Sequence, residues 1–93
     1  MDKRKLLFAI IKEINKGNRA FTHEDFGVDK QLFVETVNLA VRENYIINVF
    51  YADDEPFYGT AEVTMKGLDY LEENNGWAKA YRTLKELRDW LRL

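Results

Sequence analysis

Ninety-three residues, 46% of them hydrophobic, with one proline and no cysteine, make a single domain and exclude a disulfide framework or a thiolate metal site. The net charge of -2 hides a division: residues 1–22 carry six basic and two acidic side chains, residues 23–76 three and twelve, and residues 77–93 five and two. With no serine, one histidine and no phosphate-cradling glycine loop, a catalytic triad, a P-loop and a zinc site are excluded or strained, so no enzymatic activity, cofactor or metal is expected.

The first helix is expected over residues 2–16. Leu7, Ile10, Ile11 and Ile14 share one face that Leu6 widens, Asp2 caps the start, and Gly17 supplies a left-handed residue past the end. Lys3, Arg4 and Lys5 are candidate phosphate contacts, against the plainer reading of a solvated helix start. The apolar run behind them ends after six residues at Lys12 and Glu13, too short for a secretory or membrane segment. A cytoplasmic chain with no membrane partner is therefore expected.

Ala20 and Phe21 suit a short strand. Thr22 then caps a one-turn helix over 22–26, with Asp25 in the capping-box position, Phe21 and Phe26 as a hydrophobic staple, and Gly27 at the end. His23 stands beside Glu24 and Asp25, but successive helical side chains diverge by about 100° and cannot converge on one ion, so a polar helix start is the better reading.

Asp29 caps a helix over 29–43 whose Phe33, Val37, Ala40 and Val41 face the core. Gln31, Glu35, Asn38 and Arg42 fall on the opposite, solvent-facing stripe. Gln and Asn can pair bidentately with adenine and Arg with guanine. Gln31, Asn38 and Arg42 are thus candidate base readers, and Lys30, Arg19, Lys3, Arg4 and Lys5 candidate phosphate contacts. The stripe also fits an ordinary solvated face, because Glu35 interrupts it.

Tyr45–Tyr51 is the best strand by β-propensity, Ala52–Pro56 make a turn, and Phe57–Val63 return, giving a hairpin over 45–63 with a possible bulge at Gly59. Asp53, Asp54 and Glu55 at its tip would repel DNA phosphates and, with Glu35, suit a basic protein instead. Thr64 caps a helix over 64–74, with Leu68 and Leu71 expected to face the core and Asn74-Asn75-Gly76 breaking it. The last helix is expected over 77–92. Trp77, Ala80, Leu84, Leu87 and Leu91 form its stripe at spacings of three, four, three and four, with Tyr81 alongside. That stripe either packs on the first helix or makes a homodimer, with Trp90 as a contact residue off the stripe. Arg82, Lys85, Arg88 and Arg92 form a basic edge beside it.

Helix, short helix, helix, hairpin, helix is the order of a winged helix-turn-helix domain, α+β but mostly α, here with an additional C-terminal helix. The residues Gly17-Asn18, Phe26-Gly27-Val28, Glu43-Asn44-Tyr45-Ile46-Ile47, Thr64-Met65-Lys66-Gly67-Leu68-Asp69-Tyr70-Leu71 and Ala80 through Asp89-Trp90-Leu91 resemble the YjcQ-type family of small bacterial and prophage proteins, over essentially the whole chain. The resemblance implies a winged-helix fold, a bacterial or phage origin and no catalytic residues. Two functions follow as expectations. One is a small prophage-type transcriptional regulator that binds double-stranded DNA. The other is a winged-helix protein-interaction module that meets a basic partner with its acidic helix-and-wing surface.

Overall fold

The computed structural model describes residues 3–77, 81 and 83–92, with the Leu84 side chain excepted. Five helices are found among them: α1 (Lys3–Asn15), α2 (His23–Phe26), α3 (Lys30–Arg42), α4 (Met65–Glu73) and α5 (Leu84–Leu91). Four short strands separate α3 from α4: β1 (Ile46–Ile47), β2 (Phe50–Ala52), β3 (Glu55–Phe57) and β4 (Glu62–Val63). The protein is α+β and mostly helical, with two small antiparallel sheets, β1 with β4 and β2 with β3.

Helix α1 is the centre of the core. Leu6 through Ile11 are all buried, so the helix is enclosed on nearly every side, and it packs against α3, α4, α5 and β4. Its end is closed by amide bonds from Gly17 to the Ile14 carbonyl and from Asn18 to the Glu13 carbonyl, with Gly17 at φ 93°. The proposed cap Asp2 lies outside the described residues.

The acid-capped starts behave as their chemistry dictates. Asp29 accepts the Leu32 amide at 2.8 Å to open α3, and the Thr22 amide donates to the Asp25 carboxylate at 2.8 Å to open α2. Asn44, at φ 62°, closes α3, with Tyr45 bonding the Ala40 carbonyl. Thr64 opens α4: its hydroxyl accepts the Gly67 amide at 3.0 Å and reaches the Asn44 and Tyr45 carbonyls. A Cβ on Gly67 would lie 2.2 Å from the Tyr45 carbonyl oxygen and 2.6 Å from Val63 Cγ1, so only glycine lets α4 sit this close to the start of β1.

Several expectations are corrected. Ala20 and Phe21 form no strand; the Phe21 carbonyl instead accepts the Tyr58 hydroxyl, and the two rings stack with centroids 4.9 Å apart. The expected continuous strand from Tyr45 is broken at Asn48, which adopts φ 64° and whose carbonyl takes the Thr60 hydroxyl at 2.9 Å. The hairpin turn is shorter than expected. Asp53 and Asp54, at φ 51° and 64°, make a two-residue turn, and Glu55 and Pro56 are already paired with Ala52 and Tyr51. In such a hairpin the pair next to the turn is hydrogen-bonded and the following one is not, so Pro56 loses no ladder bond opposite Tyr51. Leu68, expected inside, is 40% exposed, and Gly67 is the buried position of α4.

The largest correction concerns the C-terminus. Trp77 belongs to a single 3-10 turn, Asn75–Trp77, and α5 begins at Leu84, where Thr83 accepts the Glu86 amide at 3.2 Å. The expected stripe residue Ala80 and the basic-edge residue Arg82 lie outside the described residues, as does the Leu84 side chain. Tyr81 is buried and donates its hydroxyl at 3.0 Å to the buried carboxylate of Glu13, which also receives Asn18 Nδ2 and Lys16 Nζ. Burial alone would raise the Glu13 carboxyl, but these hydrogen bonds outweigh it and hold it below the usual carboxylate range. Burial and the adjacent Glu13 push the Tyr81 phenol up.

Candidate functional site

The β2–β3 hairpin is an arm laid along α3. Strand alternation sends Tyr51 and Pro56 to one face and Phe50 and Phe57 to the other. On the inner face the Tyr51 hydroxyl donates to Asn38 Oδ1 at 2.7 Å, and beside the turn Glu55 forms an ion pair with Lys30 of α3. Burial raises the Tyr51 phenol, so it remains a protonated donor at neutral pH. Beneath the arm an open cavity of about 240 Å³ has Phe33, Pro56 and Tyr58 in its walls and His23, Lys30 and Glu55 among its polar lining groups.

The outer face is uncovered. Phe50 and Phe57 pair directly across the strands and are 63% and 55% exposed. The turn beside them displays Asp53, Asp54 and Glu55, all exposed, and residues 43–65 contain no basic side chain. A cross-strand aromatic pair ringed by carboxylates can bury apolar area against a partner while attracting its cations.

The candidate nucleic-acid contacts are dispersed. Lys30 and Asn38 are engaged by the hairpin as described above. Arg19 donates at 2.6 Å to the Ala61 carbonyl and fastens the loop after α1 to the segment entering β4. Lys5 reaches the Trp90 carbonyl at 3.5 Å and lies 5.3 Å from the Trp90 ring centroid. Lys3 is partly exposed and Arg4 exposed, at the start of α1. On α3, Gln31, Glu35 and Arg42 remain exposed.

The candidate dimer contacts are consumed internally. Leu87 and Leu91 are buried, Trp90 is 8% exposed, and Trp77 is partly buried. Trp90 meets Phe8 at 6.3 Å and Trp77 at 5.7 Å between centroids, both edge-on. Leu87 and Leu91 of the expected stripe face inward, and Trp90, expected off the stripe, joins them because it lies three residues from Leu87 and one from Leu91 on the same side of α5. Sequence reading passed over Thr83 with Glu86 three residues on, a capping-box signature that locates this start. It also passed over Phe50 and Phe57. Two left-handed-tolerant aspartates between aromatic runs signal a two-residue turn, and that turn forces those two phenylalanines into register.

These features define a small, mostly helical α+β domain with a hairpin arm and, among the described residues, no cluster of metal-ligating side chains and no helix long and apolar enough to cross a membrane. The chain belongs to the YjcQ family, whose model, described as "YjcQ protein", matches residues 5–90. It is 47% identical over 94 residues to the "Uncharacterized protein YjcQ" of Bacillus subtilis (strain 168), covering 99% of this chain and 100% of that protein. It also superposes on the solution NMR structure of the YjcQ protein from Bacillus subtilis with a TM-score of 0.70 at 46% identity, over 77% of this chain and 95% of the other.

Proposed function

We propose that this chain is a non-catalytic protein-interaction module of winged-helix type, which binds a basic protein through the outer face of its β2–β3 hairpin. The observation that carries this reading is the exposed Phe50–Phe57 pair flanked by Asp53 and Asp54. The partner's surface is an apolar slot bordered by lysine and arginine. Further support comes from α3. Two of its candidate DNA contacts, Lys30 and Asn38, are held against the arm, which leaves Gln31 and Arg42 as the exposed readers with an acid, Glu35, between them. The burial of Leu87, Trp90 and Leu91 within one copy favours a monomeric module.

A photo-crosslinking residue at Phe57 identifies the neighbour in cells, and the purified neighbour is then titrated calorimetrically. Against it, Phe50→Ala/Phe57→Ala should weaken binding tenfold or more, a loss of about 1.4 kcal/mol or greater. Asp53→Asn/Asp54→Asn should slow association and flatten its salt dependence. The reading falls if both double variants bind the neighbour as the natural chain does. It also falls if the chain binds only duplex DNA, with binding lost in Gln31→Ala/Arg42→Ala.

A further inference from the structure

The two basic ends of the sequence meet in space. Lys5, Lys12 and Lys16 follow one another at spacings of seven and four, which puts them on one stripe of α1 and just beyond its end. That stripe runs antiparallel to the C-terminal segment. Lys5 lies at Trp90, near the end of α5, while Lys12 sits 4.2 Å and Lys16 5.8 Å from the centroid of Tyr81, just before it. The ammonium groups themselves lie over the rings; Lys5 also reaches the Trp90 carbonyl and Lys16 the Glu13 carboxylate, while Lys5 and Lys12 stay partly exposed and Lys16 exposed. On α5, Lys85, Arg88 and Arg92 are all exposed at spacings of three and four, on the flank that meets α2, with the exposed acids Glu86 and Asp89 between them and Trp90. None of these three engages a carboxylate among the described residues, and the Arg88 stem lies over Gly27. On α1 itself Glu13 is the acid of this region, and it is buried under Lys16 and Tyr81.

We propose that the surface carried by α1 and α5, with Tyr81 beside them, is a nucleic-acid backbone site, which grips duplex phosphates without reading sequence and without using α3. The twelve residues from Lys5 to Lys16 span about 16 Å of helix, roughly five phosphate rises along the duplex axis. Burial and the neighbouring Lys16 lower the Lys12 ammonium and Glu13 partly offsets them. An anionic membrane surface fits less well. The large exposed hydrophobics of the described residues all lie between Ile47 and Leu68, none on α1 or α5, so there is no apolar face to insert beside the lysines. This site is independent of the hairpin surface, and each can fail without the other.

The test is fluorescence anisotropy of a labelled random duplex of about 20 base pairs, titrated with the full chain at salt concentrations from about 25 to 200 mM. Binding should weaken with salt along a log–log line whose slope is about -0.9 per phosphate engaged. Lys5→Gln/Lys12→Gln/Lys16→Gln should flatten that slope by two units or more, Lys85→Gln/Arg92→Gln by one to two, and Gln31→Ala/Arg42→Ala by none. Should the triple variant fail to fold, judged by its circular dichroism melt, the α5 pair decides, because both of its side chains are exposed. Lys12→Arg, which keeps the charge, should keep the slope. The proposal is overturned if the natural chain shows no salt-dependent binding at the lowest salt, or if the α3 pair flattens the slope while the α5 pair does not. Tighter binding to vesicles of anionic phospholipid than to the duplex overturns it as well.

Discussion

Trp90 and Phe57 are both large aromatic residues on short elements rich in charge, yet Trp90 is 8% exposed and Phe57 55%. At Trp90 the neighbouring charge is a cation. Lys5 stands over the ring, attracted by its negative face, and its stem completes the burial begun by Phe8 and Trp77. On the hairpin the neighbouring charges are Asp53 and Asp54, short acidic side chains that the face of a ring repels, while Glu55 is paired with Lys30, and Phe50 and Phe57 stay exposed. The sign of the nearby charge thus helps decide whether an aromatic becomes core or contact surface. The C-terminal seam is closed by its own lysines, whereas the Phe50–Phe57 pair stays exposed.

The largest test of that contrast is Trp90→Ala. Removing a buried tryptophan costs about 3 to 5 kcal/mol, and in a domain of this size each kcal/mol lowers Tm by about 4 to 8 °C. The variant should therefore melt at least 12 °C below the natural chain, or not fold at all. A melt within about 2 °C would mean that the tryptophan is not part of the core. Gly67→Ala comes next. The new methyl group would meet the Tyr45 carbonyl oxygen and Val63, forcing α4 away from the hairpin base at a cost of about 1 to 3 kcal/mol. An unchanged denaturant midpoint would show that α4 can shift freely there.

A smaller effect depends on pH. Folding lowers the Glu13 carboxyl below its unfolded value, so the charged form stabilises the seam. That contribution is complete above the ordinary carboxylate pKa of about 4.3 and drains away as pH falls through the lower folded value. Glu13→Gln should lose about 1 kcal/mol at neutral pH and show a shallower fall in Tm between about pH 5 and pH 3 than the natural chain. Parallel Tm-against-pH curves for the two would remove Glu13 from the account.

Much of this was legible from local chemistry. Asp29, Thr22, Thr64 and Asn44 mark helix ends by hydrogen bonds that involve only a few neighbouring residues, and the structure places all four there. The family was legible too, from motifs spread along the whole chain. What escaped depended on distant partners or on competing local signals. The apolar spacing from Trp77 to Leu91 favoured one long helix, and the Thr83 cap overrode it. Leu68 was expected to face the core with Leu71, but Gly67 brings the backbone itself against Tyr45 and leaves the leucine outside. The engagement of Lys30, Asn38 and Arg19 could not be read at all. Each bond spans between 13 and 42 residues of sequence and depends on how the hairpin folds back.

The finest test is Phe57→Ala. If the outer face of the hairpin exists for packing within this chain, truncating Phe57 removes a cross-strand pair with Phe50 and costs up to about 1 kcal/mol, the upper end for such pairs. If the face is kept open for a partner, the ring gains little from its own fold and the loss stays near the few tenths expected of a surface site. The same substitution should then weaken partner binding at least as much as any change elsewhere on the arm. Urea melts and calorimetric titration of one sample resolve the two cases. A stability loss above 1 kcal/mol with no change in binding would make the hairpin a structural cover for α3, and its exposed phenylalanines would then belong to the fold.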